Sequence, residues 1–139
     1  MLHKYSVLKS SWGIVVFMDM EEVLNPVVSS SDIQIAAGIY LRITDTKKIV
    51  REKIIKWVGG AFSTLINEIY KNVGGVIVCY DLKHLDFNYA DFQEEGLFCA
   101  TREWLAKYYN FEIDPIQVEY DKEKNKYVFN LPPFISNGS

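Results

Sequence analysis

The feature that most restricts the fold of this chain is the segment SDIQIAAGIYLRIT, residues 31–44, in which apolar and polar side chains alternate. A period of two is typical of a β-strand that presents one face to a core and the other to water or a partner. We therefore predict one long strand here, in a sheet that is covered on one side. Its inner face carries Ile33, Ile35, Ala37, Ile39, Leu41 and Ile43.

Other segments predict further strands. KYSVLK (4–9) and WGIVVFMDM (12–20) precede residues 31–44, and the apolar run in GVIVCYDL (75–82) is typical of a central strand covered on both faces. Near the end, IQVEY and KYVFNL alternate on either side of the polar turn DKEKN. They predict a hairpin over 116–131, followed by a loose tail, ISNGS (135–139).

The region before residue 75 predicts a helix. One apolar stripe at helical spacing is formed by Phe62, Leu65, Ile66 and Ile69, and the sequence NVGG (72–75) supplies a glycine stop. The stripe extends backward over residues 50–58. The pair Gly59-Gly60, which follows directly, predicts a kink, a break or close backbone packing. Asp45 or Thr46 is a candidate N-cap. A strand over 47–57 is an alternative to a helix in this region.

A second helix is predicted from NYADFQEEGLFCATREWLAKYYN, residues 88–110. Asn88 is its candidate N-cap, and the carboxylates that follow would lie near the positive end of the helix dipole. The chain of 139 residues, 49% of them hydrophobic, suits a single domain over 1–139. We predict an α+β fold: a mixed β-sheet with two main helices packed on one face, in the order β-(β)-β-α-β-α-β-β.

The charge balance argues against nucleic acid as a partner. The formal net charge is −3, and residues 71–139 hold seven Lys or Arg against eleven Asp or Glu. Phosphate affinity depends on cationic side chains, and in this half of the chain the acidic side chains outnumber them. We also expect no membrane association, because no apolar run reaches about 18 residues and no leader pattern is present. The two cysteines lie in apolar runs, as is typical of buried free thiols in a reducing compartment, so we predict a cytoplasmic protein.

No segment carries the motif of a known chemistry. The glycine pairs lack P-loop and dinucleotide-binding spacing, and the region around His84 and Asp86 lacks the ligand spacing of strong metal sites. Burial would keep the thiols of Cys79 and Cys99 inert. We therefore expect no catalytic set, no metal and no cofactor, and a protein that is not an enzyme.

The segment DLKHLDFNYADFQEEG, residues 81–96, combines carboxylates with aromatic rings at the end of the predicted central strand. Such rings can anchor a protein partner, while the acids steer a basic one and set its register. This pattern predicts a partner-binding surface made of Asp81, His84, Asp86, Tyr89, Asp91, Glu94 and Glu95.

The small size, the acidic balance and the run GGVIVCYDLKHLDFNYADFQEEGLFCATREWLAKYY (74–109) resemble the small cytoplasmic immunity proteins that neutralise bacterial polymorphic or contact-delivered toxins. The resemblance implies an inhibitor that occludes the active site of a cognate, basic toxin. Those families are diverse in fold, so the resemblance assigns no residue.

Two alternatives stay open from the sequence. A small enzyme or ligand-binding domain would use a pocket around His84 and Asp86. A homo-oligomer, such as a homodimer, would place Tyr40 and Arg42 of the outer strand face at its contact.

Overall fold

The computed structural model describes residues 1–136, so the end of the predicted tail, 137–139, lies outside the described residues. The strands are β1 (Leu2–Leu8), β2 (Gly13–Leu24), β3 (Ile33–Ala36), β4 (Ile39–Ile43), β5 (Val78–Asp86), β6 (Gln117–Asp121) and β7 (Lys126–Asn130). The helices are α1 (Arg51–Ile54), α2 (Gly60–Ser63), α3 (Ile66–Val73) and α4 (Glu95–Tyr109), with a π-helical segment at Ile55–Gly59 and a 3₁₀ turn at Tyr89–Asp91.

The main sheet has five strands in the order β1-β2-β5-β4-β3. Only β4 and β5 run parallel, and the other neighbours are antiparallel. Strands β6 and β7 form a separate two-stranded sheet. The predicted α+β class, the mixed sheet, the central position of the strand after residue 75 and the final hairpin are therefore confirmed.

Helices cover one face of the main sheet. Helix α4 packs on β1 and β2, while α2 packs on β3 and on α4. Under them lie the fully buried side chains of β2 and β5, among them Ile14, Val16, Met18, Met20, Tyr80 and Leu82. The opposite face of β2 carries Val15, Phe17 and Asp19, which remain partly exposed. The sheet thus has one apolar face and one face open to solvent.

The prediction of one long strand over 31–44 was wrong, because a tight hairpin divides it into β3 and β4. The turn lies at residues 37–38, where Gly38 has a φ of +75°, a backbone angle that glycine adopts readily. Ile33 pairs with Leu41 across the hairpin, and paired residues share a face. The register shift between Gln34 and Ala36 thus keeps the apolar residues of both strands on one face, which is why the pattern alone did not reveal the turn.

The first predicted helix is present, but its caps and interruptions differ from the prediction. It begins at Arg51 after Val50, which provides no side-chain cap, so residues 51–57 are helical rather than a strand. Asp45 is not the cap, since its carboxylate accepts the backbone N–H groups of Lys47 and Leu85 instead. The continuous α-helix is broken twice, by the π-helical segment and by a turn at residues 64–65.

The second predicted helix is shorter than its sequence segment. Asn88 caps the 3₁₀ turn by accepting the N–H of Ala90, and α4 starts only at Glu95. The predicted glycine stop of the first helix is confirmed, because Gly74 takes the left-handed conformation after Val73. Within residues 1–136, no helix has both the length and the apolar character needed to cross a bilayer.

Both thiols are free and buried in the structure. Burial raises the pKa of Cys79 to about 11 and that of Cys99 to about 12. Neither thiol is therefore ionised near neutral pH, as an attacking nucleophile would need to be.

The glycine pair at residues 59 and 60 offers a matched test of the packing. A Cβ on Gly60 would lie 2.4 Å from the ring of Phe134, which itself packs on Trp57 and Phe98. A Cβ on Gly59 would lie 3.4 Å from Ile35, an ordinary contact. We expect Gly60→Ala to lower the free energy of unfolding by about 1–3 kcal/mol through overpacking.

Gly59→Ala is the control in the same helical region. It should leave the free energy of unfolding unchanged or raise it by up to about 1 kcal/mol, because alanine favours helix. Urea denaturation of both variants measures the difference. Equal effects of the two substitutions would contradict the close contact between Gly60 and Phe134.

Candidate functional site

The structure divides the predicted site residues into three groups along the chain. Asp81, His84 and Asp86 lie on β5, Tyr89 and Asp91 lie in the 3₁₀ turn, and the two glutamates lie at the start of α4. These seven residues, Asp81, His84, Asp86, Tyr89, Asp91, Glu94 and Glu95, do not form one cluster. Each group has different neighbours.

Asp81 lies on the open face of the sheet. It is paired in register with Glu21 on β2 and with Arg42 on β4. Its carboxylate accepts a hydrogen bond of 2.6 Å from the Thr44 hydroxyl. Asp81 is therefore part of the polar outer face, and it does not line the depressions described below.

His84 lies beside a register shift between β2 and β5, which leaves both Lys83 and His84 exposed. The side chain of His84 is 55% exposed, and its Nδ1 lies 3.3 Å from a carboxylate oxygen of Asp45. Burial opposes ionisation of Asp45, but the backbone N–H groups of Leu85 and Lys47 outweigh it, so its pKa lies below the ordinary value. Asp45 therefore fastens the loop after β4 to the end of β5.

Residues from these groups and from elsewhere in the chain form what we call the Tyr89 surface, which comprises Val15, Phe17, Lys48, Asp86, Phe87, Asn88, Tyr89 and Asp91. The side chain of Tyr89 is 67% exposed. Its hydroxyl donates a 2.6 Å hydrogen bond to the carbonyl of Lys48, and its ring lies edge-on to Phe87, which stacks on Phe92. The tyrosine is thus both prominent and held in place.

Shallow depressions flank Tyr89 on two sides. The residues of the Tyr89 surface line the first, of about 350 Å³. The second, of about 310 Å³, is lined by Lys48, Ile49, Val50, Lys53, Phe87, Tyr89, Phe92 and Glu94. Lys48, Phe87 and Tyr89 belong to both walls, so the tyrosine stands as a ridge between them. His84 lines neither depression.

Internal lysines neutralise two of the predicted acids. Lys48 Nζ lies 2.7 Å from Asp86, and this hydrogen bond holds the pKa of Asp86 below its ordinary value. Lys53 Nζ lies 2.7 Å from Glu94, which also accepts the indole N–H of Trp57. Burial opposes ionisation of Glu94, but these two donors outweigh it and lower its pKa.

Asp91 and Glu95 differ from those two acids. Within residues 1–136, neither forms an ion pair with another side chain. Asp91 lines the first depression, and Glu95 lies in the first turn of α4, where the helix dipole favours a negative charge. Asp81 also forms no ion pair within residues 1–136, but of these three unpaired acids only Asp91 lines a depression beside Tyr89.

Sequence reasoning missed the parts of the surface that come from elsewhere in the chain. Lys48 belongs to a basic run, 47–56, that is most simply interpreted as a solvated helix face. Val15 and Phe17 lie on the outer face of β2, which the alternation within residues 12–20 could have identified. Their approach to the end of β5 depends on the strand order, which no local pattern specifies.

No family model, curated protein or solved structure matches this chain. Among residues 1–136, no group of three or more His, Cys, Asp or Glu side chains is arranged to hold a metal ion. The Tyr89 surface combines an exposed ring with a shallow, open depression that Asp86 and Asp91 help to line.

The role of Asp45 predicts a specific pH dependence. Because its pKa is lowered by folding, its contribution to stability is present above the ordinary aspartate pKa and is lost as pH falls through the folded pKa. We expect Asp45→Asn to lower the free energy of unfolding by about 1–3 kcal/mol at pH 7, because asparagine keeps only one of the two buried oxygens that accept backbone N–H groups. The difference in free energy of unfolding between Asp45→Asn and the natural protein should become smaller below about pH 4.

Denaturant unfolding between pH 2 and pH 7 measures this dependence. Glu119→Gln is the control, since Glu119 is exposed on β6. It should change the stability by less than about 0.5 kcal/mol across the range. A constant difference between Asp45→Asn and the natural protein at every pH would contradict the role assigned to Asp45.

Proposed function

We propose that this protein is a protein-binding inhibitor of immunity type, which neutralises a cognate toxin by covering the toxin's functional surface with the Tyr89 surface. The observation that carries the proposal is the exposed but immobilised ring of Tyr89, which stands between two shallow depressions. The toxin is the partner implied by the resemblance of residues 74–109 to immunity proteins, and the acids and aromatic rings of residues 81–96 suit a basic protein.

The energetic case for a binding surface rests on Tyr89. Fixing a flexible side chain on association costs about 0.5–1.5 kcal/mol, and the hydrogen bond to Lys48 together with the ring contact to Phe87 has already fixed this one. Tyrosine is among the residues enriched at the energetic centres of protein interfaces. A rigid, protruding ring is also suited to enter a recess on a partner.

The charges support a basic partner. Asp91 and Glu95 form no ion pair within the described part of the chain, so they can interact with cations of a partner, and the whole protein carries a formal net charge of −3. Such charges raise the rate of association with an oppositely charged protein and disfavour acidic ones. Asp86 and Glu94 contribute less, because Lys48 and Lys53 already balance them.

The alternatives receive less support from the geometry. A pocket that uses His84 and Asp86 together is disfavoured, since His84 faces Asp45 while Asp86 binds Lys48. A homodimer through the outer strand face would use Arg42, which is already engaged by both carboxylate oxygens of Asp32. A protein partner at the Tyr89 surface therefore remains the function that the contacts favour.

Replacing Tyr89 tests this proposal directly. Tyr89→Ala should weaken binding of the partner by roughly thirtyfold or more in Kd, as expected for loss of an energetic centre worth about 2 kcal/mol. The matched control is Tyr70→Ala, because Tyr70 is 37% exposed and its hydroxyl also donates to a backbone carbonyl, that of Ala37.

The experiment captures partners from the source cells on immobilised natural protein, Tyr89→Ala and Tyr70→Ala, and measures Kd for each protein recovered. The proposal expects a basic partner that is lost only with Tyr89→Ala, that stops growth when expressed alone, and that is neutralised by co-expression with the natural chain. Capture of proteins that bind Tyr89→Ala equally well, or that are harmless when expressed, would refute it.

Charge reversal tests the steering contribution separately. Asp91→Lys combined with Glu95→Lys should slow association with that partner by about tenfold at low salt, and the effect should fade as salt screens the charges. Glu119→Lys combined with Glu123→Lys makes the same change in net charge on the exposed β6–β7 hairpin. Stopped-flow measurement gives the association rates. Rates that fall equally for both double variants, or that do not depend on salt, would contradict a local steering role.

A further inference from the structure

Strand β1 forms one edge of the main sheet, and its outer side has no partner strand within residues 1–136. In the order β1-β2-β5-β4-β3, only β2 lies beside it. The pairing with β2 is regular over the whole of Leu2–Leu8, without a register shift. An edge strand presents a row of unpaired N–H and C=O groups, which is a template for another strand. β1 therefore offers a regular template of seven residues.

The hydrogen bonds of Met1 show which residues of β1 face that free edge. Met1 donates to the carbonyl of Met20 and accepts the N–H of Met20, so the two form a hydrogen-bonded pair. Such pairs alternate with non-hydrogen-bonded pairs along an antiparallel ladder. No hydrogen bond from residues 1–136 reaches the backbone groups that point away from β2. These groups belong to the alternate residues Leu2, Lys4, Ser6 and Leu8.

The two edges of the sheet differ in the devices that block pairing with another strand. β3 has only four residues, and its pairing with β4 shifts register between Gln34 and Ala36. β1 contains neither a proline nor a bulge. A lysine often guards an edge, but Lys4 leaves this one open, because its Nζ lies over the Phe17 ring on β2, 5.9 Å from the centroid. Of the two edges, that of β1 is therefore the one suited to pair with another strand.

The order of side chains in β1 is complementary to itself when the strand is read in the opposite direction. A two-fold axis through Tyr5 places Leu2 of one copy opposite Leu8 of the other. These leucines are 58% and 72% exposed, so each copy would cover an apolar side chain of the other. The same axis places Lys4 opposite Ser6, so like charges do not lie directly opposite each other. In both pairs the backbone groups face the free edge, so each pair can exchange two hydrogen bonds.

We propose that β1 pairs antiparallel with β1 of a second copy of this chain, so that two five-stranded sheets join into one continuous sheet. Such a contact is isologous, because the same strand serves both copies and the assembly closes as a dimer. The contact uses backbone groups and the open face of the sheet, since on the helix side His3 is already bound to Glu103. It involves neither Tyr40 nor Arg42.

The dimer leaves the Tyr89 surface available. β1 contributes no residue to that surface, whose nearest strand is β2. A two-fold axis perpendicular to the sheet keeps the open faces of both copies on the same side. The dimer thus presents two Tyr89 surfaces in one direction, and it forms whether or not these surfaces bind a toxin.

Sedimentation of the full natural chain at concentrations up to about 1 mM tests the dimer, since this range detects a Kd in the micromolar range. We expect a reversible equilibrium between monomer and dimer. In the dimer the amides of Lys4, Ser6 and Leu8 should become protected from hydrogen exchange, whereas those of Tyr5 and Val7 are protected already in the monomer. A chain that stays monomeric over this range would overturn the proposal. Protection of the edge amides only on addition of a captured partner would also overturn it.

Opposite charges at position 6 test the register of the pairing. This residue lies opposite Lys4 of the second copy, so Ser6→Glu should tighten the dimer and Ser6→Lys should weaken it, with Kd values about tenfold apart at low salt. Net charge alone gives the reverse order, because the chain is acidic and an added lysine brings it closer to neutrality. Equal Kd values, or a tighter dimer with Ser6→Lys, would refute the pairing.

Proline at the same position tests the backbone contact. Ser6→Pro removes an N–H group that points away from β2, so it should abolish the dimer and leave the circular dichroism of the fold nearly unchanged. A folded Ser6→Pro that still dimerises would refute the edge contact, and if this variant does not fold, the two charged variants decide. Tyr89→Ala should dimerise as the natural chain does, which separates this test from that of the inhibitor function.

Discussion

The interaction on which the rest of this structure depends is the pairing of β5 with β2 on one side and with β4 on the other. The side chains of Val78, Tyr80 and Leu82 on β5 are fully buried, so the strand is held by two ladders and by the core together. Residues 86–95 continue directly from this strand. A surface that begins at a buried central strand is rigid at its base, which favours precise recognition.

The loop after β4 completes that surface. Asp45 accepts the backbone N–H of Leu85 near the end of β5, and this bond brings the following residues of the loop towards Phe87. Lys48 then contacts both the carboxylate of Asp86 and the carbonyl of Phe87, and it accepts the hydroxyl of Tyr89 through its own carbonyl. The Tyr89 surface is thus one hydrogen-bonded unit built from separate parts of the chain. A tyrosine on an isolated loop would lack this support.

The sequence predicted the fold class, but it did not reveal which residues from other parts of the chain surround residues 81–96. Apolar runs and alternation identify β5 and the terminal hairpin, because these patterns follow directly from burial. The turn at Gly38 escaped detection because the register shift between Gln34 and Ala36 keeps the alternating apolar residues of β3 and β4 on one face. The pairing of Asp86 with Lys48 was also missed, because residues 38 positions apart meet only through the parallel arrangement of β4 and β5.

Amide hydrogen exchange of the chain, alone and bound to its captured partner, tests the central claim most directly. If the Tyr89 surface is the binding site, protection will appear in residues 86–95, in the outer face of β2 around Phe17 and in the loop around Lys48. The exchange of β6 and β7 will stay unchanged. Protection confined to the β6–β7 hairpin or to the β3 edge, with residues 86–95 unaffected, would contradict the account.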